Sequence, residues 1–407
     1  MKVAIIDGDV SYPTTSGKRL RTFHLMVRVA QRHQVTYVGR CAPDSEEART
    51  APAVLRQHGI EPILVHHPVP QKAGIAFYAR LAANTFSALP YSVRSHHSEP
   101  MRQALRDLAA RNTPDVWQFE WAPYMDLLDD DIAGARLVVA HNVDTLIWQR
   151  YYETARGALK RTFLKQQWRK FERFEQSAFR RADRVVAVSE DDAQLIRERF
   201  GQPAVDVVDN GIDRAYFEQA PRMPRDPRRI LFLGALDWRP NLDAVDLLLE
   251  TIFPRVRSQA AEARLLIVGR NPPPGLAQRI QGTAGVELHA NVADVRPFIA
   301  QCGVMAVPLR IGGGSRLKIL EALACGLPVV STKVGAEGLC LTPRTDYVEA
   351  EETEMADALL HAIRDPHGAQ ALAEHGRQIV LATYDWDVLA RKLEASWERC
   401  VRAPLAV

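Results

Sequence analysis

Short runs of hydrophobic residues recur along the whole chain, each followed by a longer stretch of polar or helical periodicity, and that alternation restricts the fold more than any other feature. The runs fall at 3–6, 35–38, 63–65, 116–119, 137–140 and 185–188, then again at 230–233, 265–268, 286–289 and 304–307. Runs this short and this apolar are strands covered on both faces, and strand–helix alternation means parallel sheets with crossover helices. Helices are expected over 17–31, 71–89, 99–111, 155–182, 241–259 and 295–301. At 407 residues the chain exceeds one ordinary core, so the fold class is α/β with two domains.

The most informative stretch follows the run at 304–307. It reads P-L-R-I-G-G-G-S-R-L-K-I-L-E-A-L-A-C-G-L-P-V-V-S, a glycine loop, a helix and a returning strand. Gly312, Gly313 and Gly314 let the backbone approach a ligand where side chains would collide. The helix is expected over 315–324, starting at Ser315, with Leu317, Leu320 and Leu323 on one face and Gly326 and Pro328 closing it. A helix N-terminus offers free N–H groups and the positive end of a dipole. Arg316 and Lys318 add two full charges there, an unfavourable placement unless an anion answers them. The expected ligand is a phosphate, with the Glu321 carboxylate one turn on to accept hydrogen bonds from a diol such as a ribose. A glycine-rich turn with solvated cations is the plainer alternative.

With the upstream F-L-G-A-L-D-W-R-P-N at 232–241, this stretch resembles the donor half of the family 4 glycosyltransferases, most strongly over 206–339 and mostly in pattern through the N-terminal half. The resemblance implies the GT-B fold, two Rossmann-like domains with parallel sheets facing across a cleft. It divides the chain into an acceptor-side domain, 1–213, rejoined by a crossing helix at about 384–407, and a donor domain, 214–383. It implies retaining transfer of a sugar from a nucleotide diphosphate sugar to a hydroxyl on a saccharide, lipid-linked or small-molecule acceptor, in polysaccharide or glycolipid biosynthesis, with no metal and no cofactor beyond the co-substrate. Arg316 and Lys318 would then stabilise the leaving diphosphate, Glu321 would hold the ribose, and Gly313, Gly314, Ser315 and Leu317 would line the donor. Gly234 and Gly269 end strands where phosphate or sugar approaches, Arg239 adds charge, and Val292, beside Asn291, passes near the base. In the first domain Gly17 would bring backbone amides to the sugar phosphate, and Asn210 in D-V-V-D-N-G-I-D sits at the linker. His141 in A-H-N-V-D resembles a cleft histidine near the sugar, with Glu120 also at a strand end.

Two departures from the family bear on activity. Gly313 stands where the first of two paired glutamates is found, and Ala235 and Pro240 stand where a basic pair is found. One account relocates the positive charge to Arg316, Lys318 and Arg239; the other is lost catalysis, leaving a nucleotide-sugar-binding subunit of a larger complex. A sugar-nucleotide epimerase on the same plan needs several acid and base groups around the sugar, and only Glu120 and His141 are at hand.

A formal charge of +3 and a pI near 8.6 permit an anionic partner without identifying one. The five cysteines have no zinc or disulfide spacing and fit a reducing cytoplasm, and no apolar run reaches the roughly 18 residues of a membrane span. Asp129–Asp131 reads as a solvated acidic turn rather than a metal motif. The basic helix at 155–182 carries Phe163, Trp168, Phe171, Phe174 and Phe179 among many Lys and Arg. Its aromatics form a core stripe beneath solvated charges, or the helix contacts an anionic membrane at its inner face. Nucleic acid is not expected, because no binding module surrounds it.

Overall fold

The computed structural model describes residues 1–71, 73–155, 157–221, 223–311 and 316–402. They form two units, Met1–Asp209 with the chain from Leu389, and Asn210–Val388. Against boundaries of 213/214 and 384 in the sequence reading, the crossings fall at 209/210 and 388/389.

The first unit holds a seven-stranded sheet, β1 (Lys2–Ile6), β2 (Gln34–Arg40), β3 (Ile60–Val65), β4 (Val116–Phe119), β5 (Ala135–Ala140), β6 (Arg184–Ala187) and β7 (Val205–Val207), in the order β3-β2-β1-β4-β5-β6-β7. The second holds six, β8 (Asp226–Leu233), β9 (Arg264–Gly269), β10 (Val286–Ala290), β11 (Cys302–Val307), β12 (Val329–Ser331) and β13 (Val348–Glu349), in the order β10-β9-β8-β11-β12-β13. Every pairing in both sheets is parallel. In each sheet the chain starts at a middle strand, fills one side, then crosses to the other. The strand order therefore reverses between β1 and β4 and between β8 and β11, where parallel sheets open a crevice at their carboxyl ends. Trp117, Phe119, Met101, Phe171 and Phe179 anchor one core; Phe232, Ile267, Val304, Leu320 and Leu359 anchor the other.

Several expected elements shift for local reasons. The segment expected as linker, 206–213, begins with β7; Asp206 in its middle hides the strand from a hydrophobic reading and is neutralised by Arg184 at 3.1 Å. The helix expected over 71–89 is Gly74–Asn84: Gly74 enters it at φ +74°, and the Asn84 amide turns the chain out by donating to the Leu89 carbonyl at 3.0 Å. The helix expected over 241–259 starts at Arg239 and opens into a π turn, Leu248–Ile252, just before Pro254, which supplies no N–H to the ladder. In the acidic segment 129–131, Asp130 and Asp131 are exposed in a turn as expected, while Asp129 is held by Arg102 and Arg106, each at 2.6 Å.

The basic helix, Ala158–Arg181, buries Phe171, Phe174 and Phe179 in the core, while Phe163 and Trp168 are half-buried. The last helix, Trp386–Arg402, buries Trp397 completely and donates its indole N–H to Gln118 Oε1 at 2.7 Å. Among the described residues no helix is long and apolar enough to cross a membrane.

Candidate functional site

In the second unit, Gly234 follows β8, Gly269 ends β9, Val292 follows β10 and Lys318 follows β11, so parallel pairing brings all four to one edge of the sheet. The helix after β11 runs Leu317–Ala324 with Arg316 at its N-cap, two residues later than expected, and it ends at Gly326, which turns out with φ +69°. Lys318 Nζ donates to Asn241 Oδ1 at 2.6 Å. Because Asn241 lies in the helix after β8, that bond spans the point where the strand order reverses. The amide orientation follows from its other end, where Asn241 Nδ2 donates to the Ala235 carbonyl at 2.8 Å. Lys318 Nζ also lies 4.9 Å from the centre of the Phe232 ring.

The two strand-end glycines are required by close approach. A Cβ at Gly234 would lie 2.9 Å from Asn241 Cγ, and one at Gly269 would lie 2.1 Å from the Gly234 carbonyl oxygen. One turn past Lys318, the Glu321 carboxylate has no hydrogen-bond partner among the described residues and is only half-buried. Burial pushes Glu321 up to about 7, with Lys318 holding it back. Burial, then the Arg316 charge, brings Lys318 down to about 7, with Glu321 opposing. Each group is thus poised to take its charged form when a ligand supplies what packing withholds: an anion for Lys318, hydroxyl donors for Glu321.

Of the other donor candidates, Arg316 is buried and its guanidinium pairs with Glu337 at 3.0 Å. Leu317 and Val292 are half-buried and pack on the core, so their side chains are part of the fold. Asn291, before Val292, has φ +53° and accepts the Asn271 N–H at 2.9 Å. Arg239 is exposed at the first position of its helix. Gly313, Gly314 and Ser315, with Gly312, lie outside the described residues.

In the first unit, Glu120 follows β4, is 1% exposed, and accepts from Gln118 Nε2 at 2.6 Å, Thr22 Oγ1 at 2.8 Å and His141 Nε2 at 2.8 Å. Burial by itself would raise Glu120; the His141 hydrogen bond, with the charges of Arg21 and Lys18, brings it below the usual carboxylate range. Burial lowers His141 despite that carboxylate, so the imidazole is neutral at pH 7. A carboxylate only accepts, so Nε2 carries the proton and Nδ1 keeps a lone pair, on a side chain that is 14% exposed.

Four neighbours of this cluster are not among the expected site residues. Asp7, straight after β1, pairs with Lys18, and burial raises it to about 6 against that ammonium. Tyr37 Oη accepts the Ser11 N–H at 3.0 Å and donates to the Asp9 carbonyl at 2.8 Å. Gly8 leaves room for Tyr124, whose hydroxyl would lie 1.8 Å from a Cβ there. The strand-end rule that selects Glu120 also selects Asp7; the glycine and the tyrosines carry no local signal. Gly17 opens the helix Gly17–Val29 behind the N-cap Ser16, and Asn210 opens the second unit.

Comparison with known proteins bears on both units. A glycosyltransferase family 4 model matches residues 20–216, and a glycosyl transferases group 1 model matches residues 227–365. A D-inositol 3-phosphate glycosyltransferase of Mycolicibacterium paratuberculosis is 29% identical over 254 residues, 56% of this chain and 55% of that protein. Its counterpart in Mycobacterium bovis is 26% identical over 257 residues, 56% of this chain and 51% of that one. The alignments thus span about half the length of these curated relatives. Among solved structures, sucrose-phosphate synthase from Thermosynechococcus elongatus is similar in fold, with a TM-score of 0.70 at 18% identity over 99% of this chain and 100% of that one. Anabaena HepE, solved with UDP, gives 0.63 at 15% identity over 98% and 100%.

Proposed function

This chain belongs to the family 4 glycosyltransferases of GT-B fold, and on that footing we propose that it moves a sugar, with retention, from a nucleotide diphosphate sugar to a hydroxyl. The acceptor class is a saccharide, a lipid-linked intermediate or a small molecule, in polysaccharide or glycolipid biosynthesis. The observation that carries the donor reading is the Lys318–Asn241 bond across the β8/β11 reversal, with the Glu321 carboxylate, unpartnered among the described residues, one turn away. The UDP bound to Anabaena HepE supports a nucleotide donor.

As the bond from sugar to diphosphate lengthens, negative charge grows on the departing phosphate. Lys318, protonated by the arrival of that anion, and the N–H groups at its helix mouth meet the charge. Gly234 and Gly269, packed against Asn241 and against each other, keep that edge of the sheet free of side chains, Arg239 adds charge beside it, and Glu321 accepts from the ribose. Arg316, held by Glu337, adds its field to the same helix end. The protein's own cations do this work, so the proposal needs no metal and no cofactor beyond the co-substrate. In the first unit His141 Nδ1 accepts a hydrogen bond from the acceptor hydroxyl, while Glu120 fixes its tautomer. Five free cysteines agree with a reducing, cytoplasmic setting.

Gly313 in place of the family glutamate favours a second reading, a subunit that binds the nucleotide sugar without turning it over. Thermal shift against UDP, GDP and ADP tests the first. One diphosphate should stabilise the protein, and Lys318→Ala and Glu321→Ala should each diminish the shift. No shift with any diphosphate removes the donor site. Binding without slow donor hydrolysis selects the non-catalytic subunit.

A further inference from the structure

The helix Gly74–Asn84 buries only Asn84, yet the residues it turns outward are not polar. Ile75 is 90% exposed and Tyr78 67%, and Phe86, just past its end, is 94% exposed. Between them Ala76, Ala79, Ala82 and Ala83 are exposed as well, and the helix's one charge, Arg80, is half-buried and donates to the Gln71 carbonyl at 2.8 Å. An outward helix face without a charged group is the pattern of a helix that has another apolar phase against it.

The C-terminal end of this helix is held by the basic helix Ala158–Arg181. Gln166 Nε2 donates to the Thr85 carbonyl at 2.8 Å, Lys170 Nζ to the Asn84 carbonyl at 2.7 Å, and Gln167 Nε2 to Asn84 Oδ1 at 3.1 Å. Leu159, 90% exposed, lies seven residues before Gln166 and so two turns along the same side, about 10 Å up the axis. The apolar residues of the two helices therefore flank one junction.

The charge around that junction has one sign. No Asp or Glu occurs between Glu61 and Glu99 or between Glu153 and Glu172, and the second gap alone carries six Lys and Arg against a formal net charge of +3 for the entire chain. Lys160, Arg161, Lys165 and Arg169 have no ion pair among the described residues. Arg161 and Lys165 instead stand over the Tyr152 ring, at 4.8 and 5.9 Å. Of the bordering acids, Glu172 is bound by Arg199 at 2.5 Å and Glu153 receives the Gln149 amide at 2.9 Å.

We propose that this face, with Ile75, Tyr78, Phe86 and Leu159 as its apolar centre and Lys160, Arg161 and Lys165 as its rim, docks the protein on an anionic lipid bilayer. Phe171, Phe174 and Phe179 of the basic helix take no part, since they are core; the apolar contact comes from the neighbouring helix with Leu159, and the basic helix supplies the charge. The proposal goes beyond sugar transfer and stands without it.

The test is co-sedimentation of the full chain with phosphatidylcholine vesicles, with and without phosphatidylglycerol. The protein should pellet with the anionic vesicles alone and be released by salt. Phe86→Ser with Leu159→Ser, and Lys160→Glu with Arg161→Glu, should each lower the partition coefficient by about 10- to 100-fold. Both pairs belong to the first unit and the proposed nucleotide site to the second, so an unchanged melting temperature and nucleotide shift show that the variants are folded. No pelleting with anionic vesicles, or equal pelleting of the variants, overturns the proposal. So does a concentration-dependent dimer that Phe86→Ser with Leu159→Ser dissolves while vesicle binding is absent, which assigns the face to a second copy of this chain.

Discussion

At the scale of single residues, the donor-site candidates are two groups whose ionisation packing has moved close to neutral pH. Burial moves Glu321 up to about 7 and Lys318 down to about 7, and the proposed contacts to a diphosphate and a ribose need both charges. Nucleotide diphosphate affinity should therefore be bell-shaped in pH with its maximum close to about 7. Calorimetric titration over a pH series checks this: Lys318→Ala should flatten the alkaline limb and Glu321→Gln the acid limb. His141 follows β5 in the first unit, where Nε2 donates to Glu120 and Nδ1 keeps its lone pair. Replacing it with Ala should cut turnover by about 100-fold while the nucleotide-induced thermal shift stays as in the parent. Arg316 and Lys318 look equivalent in sequence, two cations at one helix mouth. Only the structure separates them, because Glu337, 21 positions on, claims Arg316 and leaves Lys318 to a neutral amide.

At the scale of elements, helix limits set by one residue are legible and those set by hydrogen-bond competition are not. Gly326 closes the 317–324 helix as expected, since a left-handed φ of +69° suits glycine. The nearest neighbours of an added Cβ there are Gln370 Nε2 at 3.6 Å and Arg377 Cδ at 3.7 Å, so Gly326→Ala meets backbone strain alone and should cost about 1–2 kcal/mol in denaturant unfolding. Gly269→Ala is a different case with the same chemical change. Its Cβ would press on the Gly234 carbonyl at 2.1 Å, in the middle of the donor edge. That variant should lose more stability than Gly326→Ala and also its nucleotide shift. The helix expected over 241–259 shows the converse: apolar spacing continues through 248–252, but Pro254 withholds an N–H and the ladder resets through a π turn.

At the scale of the whole molecule, the two units differ in how the chain closes them. The second is one continuous segment, Asn210–Val388, with its own core. The first requires the end of the last helix, where Trp397 is fully buried against Gln118. Residues 210–388 expressed alone should fold and keep the nucleotide shift, whereas a chain ending at 388 should lose cooperative unfolding of the first unit. Trp397→Ala should cost that unit about 3–5 kcal/mol, read as an early transition in calorimetry.

The apolar strands, several helix limits and the α/β class follow from the chain alone, because periodicity, turn chemistry and caps act over a few residues; the short strands β7 and β13, with Asp206 and Glu349 in them, do not. The family pattern around 304–331 adds the fold type, and the strand-end rule selects Glu120 and His141. What the chain alone leaves open is every relation built from distant partners. Lys318 meets Asn241 across 77 positions, Thr22 meets Glu120 across 98, and each depends on which side of its sheet a crossover helix takes. The charge states follow the same rule: burial drives the shifts at Glu321, Lys318, Asp7 and His141, and burial is a property of packed layers rather than of any segment.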